Sequence, residues 1–326
     1  MRTELKRINN IIKKIRSCNY GLIDEAIIDL IELKSDKAFH RILKNTFLDR
    51  EGVLWVNPKF VVTGPKQPAM DYAFWEIIGN SPNKILLENG IHRSRTKTIR
   101  IIRHKSIHDW THGMVKFPEG ILNFKNLQRL YLGDCNIDFI PEGICKLTNL
   151  KELTCRSYDL KNLPTSIGKL EKLISLDLDY CSLKKLPESF GNLKLLTNLN
   201  LSGNSLKKLP DSFGNFSLMK ELDLSNNYFK SIPKSINRLL HLKKLNLSQN
   251  KIVNLKNIYS LNALNKLNIS FNNIKKLPRE IEKLQSLQSL KLNYNSGCIE
   301  MDSGLSRLNN LSYMSFLRSE ATPRLT

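Results

Sequence analysis

The sequence predicts an α/β solenoid, a curved stack of short parallel strands, preceded by a small helical N-terminal domain. Three observations carry this. An eleven-residue frame restarts eight times at near-constant spacing, a Pro-initiated second half follows most copies, and the first 95 residues lie outside the frame. Units of this size cannot bury an apolar face singly, so they must stack and share a core.

The frame opens at Leu127 in LQRLYLGDCNI and reads L-x-x-L-x-L-x-x-(N/C)-x-(L/I). It restarts at Leu150, Leu173, Leu196, Met219, Leu242, Leu264, Leu287 and Leu311, in steps of 23, 23, 23, 23, 23, 22, 23 and 24 residues. In LNLSGNSL, Leu199 and Leu201 alternate with Asn200 and Ser202, the period of a strand with one buried face. The following Pro210 has no N–H for a sheet ladder, so the chain must leave the strand and turn. Phe213 and Phe216 then return apolar side chains to the same interior. LPTSIGKL at 163–170 and LPESFGNL at 186–193 repeat this half, and FPEGILNF at 117–124 shows the array running before Leu127. Ile99 and Ile101 supply an earlier, degenerate strand.

Position nine of the frame holds Asn204, Asn227, Asn250, Asn272 and Asn295. A buried amide must satisfy its donors and its acceptor, and stacked Asn side chains can bond the turning backbone of the adjacent unit. Cys135 and Cys181 take the same place two units apart, too far for a disulfide, and are expected as small buried residues. Tyr158 also falls there. Its ring cannot fit where Asn fits, so a distorted turn is expected.

These residues resemble the leucine-rich repeat superfamily over roughly two thirds of the chain. The 23-residue form with L-P-x-x-I is similar to intracellular leucine-rich repeat proteins of the Ras-associated group and to related bacterial proteins. The resemblance implies a solenoid with parallel strands on its concave face. It implies binding without naming a partner, because the fold hosts many unrelated functions.

Residues 1–95 read as a capping domain, and 96–326 as the solenoid, regular from 127. Leu5, Ile8, Ile11, Ile12 and Ile15 share one helical face, and Leu22, Ile23, Ala26, Ile27, Leu30 and Ile31 a second. A third helix is expected through Phe39, Ile42 and Leu43, and a fourth in DYAFWEIIGN after the Gly/Pro-rich stretch 57–68. The first helix is basic, with Arg2, Lys6, Arg7, Lys13, Lys14 and Arg16 against Glu4. Its apolar side lacks an aromatic anchor, which favours a cap over a membrane-surface helix. His104, His108 and His112 have metal-like helical spacing, but no cysteine or clustered carboxylate completes a site.

Composition narrows the function. The chain has 326 residues, 41% apolar and 8% aromatic, and six cysteines, none spaced as CxxC. A disulfide framework or zinc cluster is not expected. No stretch matches a membrane-spanning helix or a secretory signal, so a cytoplasmic protein is expected. No phosphate loop, nucleophile elbow, zincin or dinucleotide motif is present, and no cysteine has Asp at plus two. TGPKQP at 63–68 has neither the spacing nor the hydroxyl of a phosphate site. A non-catalytic protein without a cofactor is expected.

The net charge of +21 permits an anionic partner, so its placement matters. Outward concave positions two, three, five, seven and eight carry eight basic and six acidic residues over the eight units from Leu127, a net of only +2. Positions twelve and thirteen carry Lys161, Lys184, Lys185, Lys207, Lys208, Lys230, Lys275 and Lys276 against Asp138, a net of +7. The basic excess is thus a lysine ladder along one flank, without the Arg and stacking aromatics of nucleic-acid readers. The favoured reading is a scaffold that holds an unidentified protein on its concave face. The alternative is an adaptor for nucleic acid or phospholipid through the flank and the basic first helix. The candidate partner-binding residues are Tyr131, Asp177, Asp179, Tyr180, Asn200, Glu221, Asp223, Asn246, Phe271 and Tyr294. Within this set, Tyr180, Phe271 and Tyr294 share position eight, and Asp177, Asp179, Glu221 and Asp223 form an acidic strip. The last unit ends without its L-P-x-x-I half, so a frayed or externally covered end is expected.

Overall fold

A computed structural model describes residues 96–102, 116–133, 137–295, 300–301 and 303–317. It also describes 46–48, 54–56 and isolated helical positions at 6–7, 10–11, 13–14, 25–26 and 29. The chain forms two compact units, Met1–Leu160 and Lys161–Thr326. The expected third and fourth helices, the histidine triplet and Cys135 lie outside the described residues.

In the first unit, Ile11 and Ala26 are buried, as their two apolar stripes require. Lys14 Nζ reaches Asp29 at 2.8 Å and Glu25 at 3.2 Å. Strands β1 (Thr46–Leu48) and β2 (Leu54–Val56) pair antiparallel, which adds strand to a segment expected to be helical. The physical reason is composition: TFL and LWV are short β-branched or aromatic runs that suit a pleated surface. Strands β3 (Thr98–Ile102), β4 (Arg129–Gly133) and β5 (Glu152–Cys155) are parallel, with Ile99 opposite Leu130 and Leu130 opposite Leu153. Ile99 is fully buried, as expected of the first, degenerate strand. At the irregular turn Tyr158 is displaced outward and half exposed. Ser157, one place earlier, is fully buried and donates Oγ–H to the Ile137 carbonyl at 2.7 Å.

The second unit repeats one coil. Its parallel strands are β6 (Ser175–Asp177), β7 (Asn198–Asn200), β8 (Glu221–Asp223), β9 (Lys244–Asn246), β10 (Lys266–Asn268), β12 (Ser289–Lys291) and β14 (Tyr313–Ser315). A short parallel pair, β11 (Lys276–Leu277) and β13 (Glu300–Met301), lies apart from them. The register runs Leu176, Leu199, Leu222, Leu245, Leu267, Leu290, Met314, one position-four side chain per strand. All but Met314 are buried, each stabilising by about 2 kcal/mol relative to exposure.

Beyond the strands, Pro164, Pro187, Pro210, Pro233 and Pro278 each start a 3₁₀ turn with φ between −57° and −75°. This is the turn-back expected from a residue without an N–H. Phe190, Phe213 and Phe216 interlock behind the sheet, with Phe213 and Phe216 edge-to-face at 4.9 Å. Adjacent turns approach closely: a Cβ at Gly191 would lie 2.3 Å from the Ser212 carbonyl oxygen. The unit that is one residue short, from Leu242, lacks the 3₁₀ turn and bends through Asn257 at φ 76°.

The asparagine ladder joins coil to coil. Asn227 Oδ1 accepts from the Leu206 N–H at 2.9 Å, while Nδ2 donates to the carbonyls of Leu201, Leu224 and Ser225 at 2.9, 3.2 and 3.1 Å. Asn204, Asn250 and Asn272 repeat this pattern, and Asn295 accepts from Ile274 and donates to Ile269 and Leu292. Every one of these amides is buried.

Two predictions follow from this packing. Asn227→Ala strands an amide N–H and several carbonyls in the interior and is expected to cost about 3 kcal/mol. A denaturation midpoint within error of wild type would refute the shared-amide account. At the far end, Leu311, Met314 and Phe316 are only half-buried, unlike the same positions in earlier coils. Amides at 311–317 should therefore exchange with solvent faster than those at 219–247; equal protection in a monomer would contradict this.

Candidate functional site

Positions three and five of each strand face one groove, about 480 Å³, lined from β6 to β12. In strand order the pairs are Ser175 and Asp177, Asn198 and Asn200, Glu221 and Asp223, Lys244 and Asn246, Lys266 and Asn268, Ser289 and Lys291. The position-four leucines form its floor. Strand alternation accounts for this placement: three and five point away from the core when four points into it.

Position five has a structural duty as well. Asp177, Asn200, Asp223, Asn246 and Asn268 each accept, through Oδ1, the N–H of the residue two places on, at 2.8–3.1 Å. Such local side-chain bonds turn the chain out of the strand. Ser225 and Ser248 add hydroxyl donors to Asp223 and Asn246 at 2.6 and 2.8 Å. The local bond leaves the far side of each group toward the groove. Asp223 Oδ2 accepts from Asn246 Nδ2 at 2.9 Å, and Lys244 Nζ pairs with Glu221 at 2.6 Å. Both members of that ion pair are well exposed, so it contributes at most about 1 kcal/mol.

The expected site divides. Asp177, Asn200, Glu221, Asp223 and Asn246 come together in the groove. Asp179, expected on the same outward strip, is buried, because position seven is drawn inward by the turn. Tyr131 belongs to the first unit, where its hydroxyl bonds the Glu152 carboxylate, which also pairs with Arg129 at 3.1 Å. Tyr180, Phe271 and Tyr294 lie beyond the strand ends, 41–47% exposed. All three have left-handed backbone, φ 47°, 56° and 54°, at a position where Gly203 has φ 67° and Asn226 φ 51°. Phe271 and Tyr294 stack at 4.6 Å, as their shared position and the strand spacing require. The Tyr180 ring lies against Gly203, where a Cβ would come within 2.9 Å of it. The flank lysines 161, 184, 185, 207, 208, 230, 275 and 276 are exposed, and Lys251 Nζ sits 5.3 Å from the Tyr228 ring centre.

Lys244, Lys266, Lys291, Asn198 and Asn268 were expected at outward concave positions but not among the site residues, and all five line the groove. The available signal was position: the outward side chains that line it come from three and five, whereas two, seven and eight had been counted with them.

A family model described as a leucine-rich repeat region matches residues 106–247. Comparison with curated proteins gave no significant match. Among solved structures, a leucine-rich repeat protein of Leptospira interrogans is 25% identical with a TM-score of 0.60, covering 87% of this chain and 69% of its own. A plant peptide hormone receptor, RGFR1, in complex with RGF2, is 26% identical with a TM-score of 0.53 over 69% of this chain and 40% of its own. The TLR13–ssRNA13 complex is 25% identical with a TM-score of 0.59 over 74% of this chain and 34% of its own. The chain thus spans less than half the length of the two receptors.

One prediction concerns the local bond made by position five. Asp223→Asn keeps the acceptor for Ser225 but loses the Oδ2 acceptor of Asn246, and should cost less than Asp223→Ala, which removes both and should cost about 1 kcal/mol or more. Equal thermal midpoints for the two variants would show that the local bond carries no stability. Repeat frame, buried asparagine ladder and parallel register together describe a leucine-rich repeat solenoid, and the leucine-rich repeat family model matches residues 106–247 of it.

Proposed function

We propose that this protein is a non-catalytic interaction module that holds a polypeptide partner in the groove over β6–β12. The observation that carries this reading is charge balance. The groove presents Asp177, Glu221 and Asp223 on one half and Lys244, Lys266 and Lys291 on the other, a net charge of zero. A polyanion laid along it would meet three carboxylates, whereas a polypeptide can match both signs. The stacked, exposed Phe271 and Tyr294 lie just past the ends of β10 and β12, and rigid aromatics of this kind are favoured anchors for protein partners. The peptide-bound plant receptor among the similar structures supports the same reading.

The lysine flank supports a second reading, in which the chain contacts an anionic surface. Eight exposed lysines recur there at the coil repeat, and one similar structure is an RNA complex. The flank, however, lacks the groove's mixture of shape, amide donors and two signs of charge.

The two readings separate in one experiment. Asn198→Trp places an indole in the groove and leaves the flank intact. Proteins retained from native lysate by the wild type should be lost from this variant when the two have matching melting curves. Unchanged retention by the variant, with loss on a Lys184, Lys185, Lys207 and Lys208 to Gln variant, would move the site to the flank.

A further inference from the structure

Resting on the groove reading, we infer that the ligand is an extended segment of about seven residues, basic at one end and acidic at the other, lying across the strands. The length follows from the site. Six hydrogen-bonded strands give five spacings of about 4.8 Å, roughly 24 Å, and an extended chain advances about 3.3 Å per residue.

The polarity follows from which charges remain uncompensated. Glu221 and Lys244 neutralise one another at the centre. On the β8 side, the Asp223 carboxylate is met by the neutral groups of Ser225 and Asn246. On the other side, neither Lys266 nor Lys291 pairs with a carboxylate among the described residues, and both are exposed. Asp223 stands two strand spacings from Lys266 and three from Lys291, so about 10–14 Å separates the opposite charges. An extended ligand bridges that distance when its basic and acidic side chains stand three to four positions apart, about 10–13 Å.

The main chain of the segment has its own partners. Oδ1 of Asn200 and of Asn268 accepts from Ser202 and Ser270, which fixes each amide with its Nδ2 directed to the groove. These two donors suit carbonyl oxygens of a chain without internal hydrogen bonds. The pattern resembles the way an extended peptide is held elsewhere: backbone bonds for affinity and side chains for register.

The test uses a displayed random heptapeptide library selected on the full-length chain. Winners are re-measured by fluorescence anisotropy on wild type, Asp223→Asn, Lys291→Gln and Asn198→Trp, with melting curves for each. The expected winners carry Lys or Arg three or four positions away from Asp or Glu. Their affinity falls about threefold to tenfold on Asp223→Asn and on Lys291→Gln, and is lost on Asn198→Trp. Winners that are lost on Asn198→Trp but lack paired opposite charges, or ignore both charge variants, overturn the polarity and leave the groove reading standing. No winners, or winners indifferent to Asn198→Trp, overturn both.

Discussion

The buried carboxamide at position nine is the constraint on which the rest of the structure depends. A chain that turns through a solenoid coil exposes backbone N–H and C=O groups to an interior where no water can meet them. Each would cost 1–3 kcal/mol or so if unmet. One Asn satisfies several of them at once and does so across two coils, since Asn227 bonds both its own turn and that of the preceding unit. Register is thereby locked between neighbours, and the leucines stack at position four without slippage.

That lock shapes the grooved face. Because position nine holds the turn from inside, position eight is forced into the left-handed region, where Gly203 and Asn226 are natural choices and Phe271 and Tyr294 are costly ones. Mutual stacking of the two rings offsets part of that cost. Position five turns the chain from outside, and its acceptors are Asp or Asn alternately in β6–β9. Either residue makes the local bond equally well, so charge at this position is free to vary and to build a pattern along the groove. The turn itself asks only for an Oδ1, which Asp and Asn both supply.

The coil was legible in the sequence because its determinants are periodic. Leucine alternation, Pro at the start of most turns and Asn at position nine from Asn204 onward recur at nearly one spacing, and each maps to a single physical need. The groove was legible only in part. Asp177, Asn200, Glu221, Asp223 and Asn246 follow from alternation, but alternation alone does not say where the strand stops, so Asp179 was counted outward although the turn buries it. Lys244, Lys266 and Lys291 were counted among the outward basic residues of the concave strands but not as site members, since their grouping shows only across coils 22 or 23 residues apart. The turn at Tyr158 shows the same limit. Its misfit at position nine was evident, but the inward move of Ser157 depended on the depth of the strand before it.

The groove, not the lysine flank, is the face proposed to meet the partner. Site-specific photo-crosslinking tests it most directly, with p-benzoyl-phenylalanine placed at Ser289 in the groove or at Lys208 on the flank of separate full-length proteins. Both positions lie on the surface of coils whose packing they do not share. After capture and illumination, a protein adduct from Ser289 and none from Lys208 is the predicted result. An adduct from Lys208 alone would contradict the claim.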